Sequence, residues 1–231
     1  MGVGHGNLGR VTTMEMRVQV VLDHILWGAP DLRAAETLFA GLSGIWPGPG
    51  GIHDGFGTRN SLVSLGDGLF FEIIAPDPAQ SLVGNRGGRL SRLSAPGLIA
   101  VSVRSSDLAS LREAAQSIGL STVGPVAMGR TRADGVRLSW EILHFGSGQD
   151  ADMVPFAIDW KGSPHPSASS PGGVTLESLI ALHPDEARLA GIYKALGMRI
   201  EVRRADRIGF QAVLATPKGP LQLTAACQPP E

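Results

Sequence analysis

One cysteine, Cys227, occurs in the whole chain; it allows no intrachain disulfide and no cysteine-held zinc. An excess of either charge is also missing: 20 Lys and Arg stand against 21 Asp and Glu, for a net charge of −1. Such a balance offers no global attraction to nucleic acid or to an anionic membrane, so neither is expected as a partner. Apolar stretches are interrupted by charge within about ten residues, too short to span a bilayer. Residues 1–19 lack the apolar centre of a secretory signal, and Gly6 stands where N-myristoylation requires Ser or Thr. Residues 1–17 are expected to form a disordered extension, and the protein to be cytoplasmic. A nucleotide signature is absent too. Gly4-His5-Gly6-Asn7-Leu8-Gly9 has G-x-G-x-x-G spacing, but no strand pattern precedes it and no helix pattern follows.

What the chain has in quantity is turn chemistry: 31 Gly and 16 Pro punctuate it into short elements. An apolar fraction of 43% and a charged fraction of 18% are ordinary for a folded domain with a substantial core. An internal repeat organises these elements. VQVVLDHILWGAPDLRAAETLFAGLSG, GLIAVSVRSSDLASLREAAQSIG and GVTLESLIALHPDEARLAGIYKALG each run from a strand pattern through an acid to a helical pattern and a Gly stop. Asp31, Asp107 and Asp185 lie 76 and 78 residues apart, and Gly44, Gly119 and Gly197 follow them by 13, 12 and 12. An acid suits a helix N-terminus, and Gly suits the left-handed exit at its end. The spacing predicts helices over about 31–43, 107–118 and 185–196. Short alternating or apolar runs follow each helix, so the unit reads β-α-β-β-β and the class α+β. Residues 18–160 are expected to hold two paired modules and 173–226 a third, with Pro-, Gly- and Ser-rich connections at 76–96 and 161–172. The third is expected to cover an exposed sheet edge or to mediate a homodimer.

The segments LDHILWGAPDL, GGIHDGFGTRNSLVSLGDGLFFEII, GRTRADGVRLSWEI and PFAIDWKGSPHP, with the third repeat, resemble the vicinal-oxygen-chelate superfamily, and within it the glyoxalase-like domain family. The resemblance spans about residues 18–225. It implies curved mixed sheets forming a cup, with helices on the outer face. In that superfamily the first strand of a module supplies a metal ligand, often His, and the last a carboxylate; His24 and Glu72 match those places. Aligning the second module puts Ala100 opposite His24 and Asp159 opposite Glu72, and the third puts Ser178 at the first position. The implied set is His24, Glu72 and Asp159, one donor short of four, for a divalent Zn, Fe, Mn or Ni.

Other polar and aromatic residues gather on the same segments. His53 and Asn60 flank the Gly-rich loop, where Gly55 and Gly57 permit close approach of a ligand. Arg130 and Arg132 offer forks for a carboxylate or phosphate. Trp140 and Trp160 offer an apolar wall, and His165 reads as a surface histidine. Two functions compete. One is a metal-dependent lyase, isomerase or dioxygenase on a small oxygenated substrate, with Glu72 or Asp159 as proton shuttle. The other is a metal-free cup that sequesters a small molecule, as bleomycin-resistance proteins do; the missing donor at Ala100 favours it. A ligand-free structural relic is the third reading.

Overall fold

A computed structural model describes residues 20–131, 135–146 and 151–226. The first module is β1 (Val21–Gly28), α1 (Leu32–Ser43), β2 (Gly48–His53), β3 (Thr58–Gly66) and β4 (Leu69–Pro76). A short helix, α2 (Arg86–Leu90), lies in the connection to the second. That module is β5 (Gly97–Arg104), α3 (Leu108–Ser117), β6 (Thr122–Thr131), β7 (Arg137–Phe145) and β8 (Phe156–Asp159). After a 3-10 turn at Pro166–Ala168 come β9 (Thr175–His183), α4 (Glu186–Ala195), β10 (Glu201–Arg204), β11 (Gly209–Thr216) and β12 (Gly219–Thr224).

The three long helices start where the acids are. The Asp31, Asp107 and Asp185 carboxylates accept hydrogen bonds from the backbone N–H of Ala34, Ser110 and Arg188, filling orphan donors of the first turn. Apolar positions at helical spacing, Ala35 and Phe39 on α1 and Leu111 and Ala115 on α3, enter one core with Val63, Phe71, Ile73, Val101 and Leu143 from the strands beneath.

The first two modules share one eight-stranded sheet in the order β2-β3-β4-β1-β5-β8-β7-β6. In each, the first strand runs parallel to the last, β1 with β4 and β5 with β8. β1 and β5 join antiparallel at the centre. The sheet curls until its two edge strands meet: a Cβ on Gly51 of β2 would lie 2.6 Å from Arg130 Nη1 of β6. The helices take the convex face, and the concave face is the cup.

The third module repeats the element order and not the wiring. Its sheet runs β10-β9-β11-β12, so its first strand pairs with its second and third strands. Its strands do not pair with the edges β2 and β6, where an edge cap was expected. It packs instead on the outer face, its core residues Phe210, Leu214 and Tyr193 joining those under α1 and α3. Its tail reaches β5 through a parallel bridge between Leu98 and Ala225.

Candidate functional site

The concave face holds a narrow cavity of about 100 Å³. Strand alternation decides which side chains reach it. On β4, Phe70, Glu72 and Ile74 face the cavity, while Phe71 and Ile73 enter the core beneath the helices. On β3 the inward residues are Thr58, Asn60 and Leu62; on β7, Trp140, Ile142 and His144. Phe156, Ile158 and Trp160 form the wall around β8.

β1 departs from alternation at one place. Leu22 pairs with Val103 and His24 with Ser102, so Asp23 is an extra residue opposite one β5 step, a bulge. The bulge brings the carboxylate of Asp23 beside the ring of its own neighbour, which consecutive residues of a regular strand cannot do. His24 Nδ1 lies 2.6 Å from Asp23 Oδ1. Asp23 Oδ2 accepts from Trp160 Nε1 at 3.1 Å and from His165 Nε2 at 3.1 Å, with Arg104 Nη1 at 3.4 Å. Asp23 is fully buried. Burial alone would raise its carboxyl; the hydrogen bonds from His165 and His24, and their charge, outweigh it and hold Asp23 well below the usual carboxylate range. Asp23 is therefore ionised, and the proton on His24 sits on Nδ1.

His24 Nε2 then faces the cavity. The ring is stacked on Phe70, with centroids 4.4 Å apart. Glu72 Oε2 lies 3.5 Å from Nε2. Glu72 is buried, with 5% of its surface exposed, and Asn60 Nδ2 donates to its other oxygen at 2.6 Å. The amide orientation is set from behind, because Gly51 N–H donates to Asn60 Oδ1 at 2.7 Å. Asn60 Nδ2 also lies 3.4 Å from His53 Nε2, and His53 Nδ1 lies 2.9 Å from Thr58 Oγ1. Burial lowers the His53 pKa; Glu72 pulls it up, while Arg86, Arg130 and His24 push it further down. His144 is pushed down to about 4, by burial first and then by Arg86. Both rings are neutral near pH 7.

Of the expected site residues, His24, His53, Asn60, Glu72, Arg130, Trp140 and Trp160 line one cavity. Asp159 does not. Ala157 is in the core beneath the helices, and Asp159, two residues on, shares its phase. Its carboxylate accepts from Lys161 N–H at 2.9 Å and lies 3.4 Å from Lys161 Nζ. Gly55 meets nothing within 4 Å, and a Cβ on Gly57 would meet Asn85. His165, expected at the surface, has 17% of its side chain exposed and is bound to Asp23. Arg132 and Cys227 lie outside the described residues. Asp23, Arg86 and His144 were missed. His144 is in phase with Trp140 and Ile142 and was readable; an acid inside VVLDHILW was a signal for Asp23; Arg86, in a connection, left none.

The donor set does not fit the metal that the superfamily implies. Among the described residues no group of three or more His, Cys, Asp or Glu is placed to hold one. His24 and Glu72 stand on one wall, while Ala100, Phe156 and Ile158 occupy the second module's share. The Asn60 amide donates where a cation would need lone pairs of Glu72 and His53.

No curated protein matches the chain. A hypothetical protein from Staphylococcus aureus shares the fold, with a TM-score of 0.59 and 17% identity over 91% of this chain and 89% of that one. Methylmalonyl-CoA epimerase from Mycobacterium tuberculosis gives a TM-score of 0.42 and 19% identity over 62% and 87%. A Streptomyces coelicolor methylmalonyl-CoA epimerase variant, in complex with 2-nitronate-propionyl-CoA, gives 0.43 and 15% over 61% and 96%. The glyoxalase-like domain family model matches residues 22–197, through both cup-forming modules and into the third. With that match over the paired modules, the chain belongs to the glyoxalase-like domain family of the vicinal-oxygen-chelate superfamily.

Proposed function

We propose that the cup binds a small oxygenated molecule and moves a proton on it, as an isomerase or lyase, without recruiting a metal. The observation that carries this reading is the line Asp23–His24–Glu72, ending in a narrow, largely apolar cavity. A buried carboxylate that fixes the tautomer of an imidazole is an arrangement suited to general acid–base work. For a substrate with a C–H bond next to a carbonyl, Glu72 or His24 takes the proton. The C–H electrons form the new C=C bond, and the carbonyl π pair moves onto oxygen. Return of the proton to a neighbouring atom completes an isomerisation that needs no oxidant or co-reactant. Arg130, on the cavity wall, supplies positive charge for the oxygen.

The test is deuterium incorporation in D2O into a panel of small ketones, aldehydes and 2-oxo acids, with protein treated with a chelator. Wild type is expected to catalyse exchange on at least one class, and Glu72→Gln to slow it by about 10²-fold. Exchange that is lost on chelation and restored by Zn, Fe, Mn or Ni would replace this reading with the metal-dependent one. The second reading, a cup that only sequesters its ligand, is favoured by the apolar residues in the second module's share of the site; binding by panel members without exchange would establish it.

A further inference from the structure

The same cavity contains a cation that nothing in the proton-transfer line neutralises. Arg86 opens α2 and is half-buried, with its side chain on the cavity wall. Among the described residues it has no hydrogen bond and no ion pair. The nearest candidate, Glu72, is already engaged through Oε1 by Asn60 and faces His24 through Oε2. Burial lowers the Arg86 pKa, and Glu72 and Asp152 offset this only from a distance. A guanidinium remains charged under such a shift and carries five N–H donors in a planar fork. Its field is felt across the cup, since it lowers the pKa of both His53 and His144.

Arg86 is also held in place. α2 is pressed against the turn between β2 and β3: Gly87 N–H donates to Phe56 O at 3.1 Å, and a Cβ on Gly87 would lie 2.0 Å from Gly57 O. A partly desolvated guanidinium without an acceptor is unfavourable in the empty site and favourable once an anion arrives. The rest of the lining is aromatic and aliphatic, with Phe70, Trp140, Phe156 and Trp160 around a narrow space. Resting on the reading of this cup as a small-molecule site, we infer that its ligand is a small monocarboxylate with a flat apolar body, its carboxylate gripped by Arg86 and its body against the aromatic wall. Phosphate esters, whose head is bulkier, suit the narrow cavity less.

Phenylacetate and its neutral isostere phenylacetamide separate charge from shape. Their affinities are to be measured by calorimetry and by quenching of Trp140 and Trp160 fluorescence, on the full chain. Wild type is expected to bind the acid at least ten-fold more tightly than the amide. Arg86→Gln is expected to reduce that preference to within about two-fold, by weakening acid binding far more than amide binding, and Arg86→Lys to retain a preference of about three-fold or more. Circular dichroism and a thermal melt establish that each variant is folded. Equal binding of acid and amide by wild type, an undiminished preference in Arg86→Gln, no acid binding at millimolar concentration, or tighter binding of phenyl phosphate than of phenylacetate would each overturn the inference. None of these results bears on Glu72-dependent proton exchange, so the two readings fail separately.

Discussion

Asp23 is the residue on which the geometry of the site turns. Its two oxygens collect His24, Trp160, His165 and Arg104 from β1, the end of β8, the connection to the third module and β5. Asn at this position would offer one acceptor where two are used and turn an amide N–H₂ toward a donor. Asp23→Asn is expected to lower stability by about 3 kcal/mol, measured by urea denaturation near pH 7. The sign with pH follows from the depressed carboxyl. Its folded pKa lies below the ordinary 3.8, so its stabilisation is complete above that value and is lost as pH falls through the folded one. The acid limb of the stability curve should therefore be shallower in Asp23→Asn than in wild type. An unchanged acid limb would show that the bulged carboxylate is not ionised. His24 and Glu72 were legible as polar residues at inward positions of apolar strands. Asp23 stood out as an acid in an apolar strand, but its direction did not, because only the bulge turns it to the same site as its neighbour.

At the scale of elements, helices were more legible than sheet faces. Acid caps and Gly stops act through local backbone groups, and the observed helices Leu32–Ser43, Leu108–Ser117 and Glu186–Ala195 begin directly after their acids. A strand's inward face depends on register, and a shift of one residue reverses it. On β8 the phase of Phe156, Ile158 and Trp160 takes the cavity and sends Asp159 to Lys161. The glycines of β2 show a similar dependence on neighbours. Gly50 and Gly51, not Gly55, make the site compact: a Cβ on Gly50 would sit 2.0 Å from Asn60 Oδ1 and 2.7 Å from Asn60 O. Gly50→Ala is expected to displace Asn60, removing the donor that Glu72 receives, and to weaken ligand binding about ten-fold while the melting temperature falls by a few degrees. A crystal structure of Gly50→Ala with Asn60 still on Glu72 would contradict this.

For the whole molecule, one core joins the third sheet to the outer face of the large one, and the cup lies on the opposite face of that large sheet. Tyr193 on α4 is buried and donates to Met153 O, a contact between the third module and the β7–β8 connection. Burial pushes its phenol above the ordinary value. Tyr193→Phe should lower stability by about 1 kcal/mol through the orphaned carbonyl, and Tyr193→Ala by about 3–5 kcal/mol through lost packing. Ligand affinity, measured well below each melting temperature, should be unchanged in Tyr193→Phe; a large drop would mean that the third module acts on the cup. The docking also needs Gly97, where a Cβ would lie 2.3 Å from Ala226 Cα. By itself the sequence determined the α+β class, the three-fold order of elements and the helix starts, because caps, stops and strand periodicity are local; the pairing of His24 with Glu72 is what the family resemblance implied. Tertiary structure alone decided the Asp23 bulge, the entry of Arg86 from a connection into the cup, the exclusion of Asp159 and the different wiring of the third sheet. Each of these depends on register or on contacts between segments tens of residues apart, which no local pattern specifies.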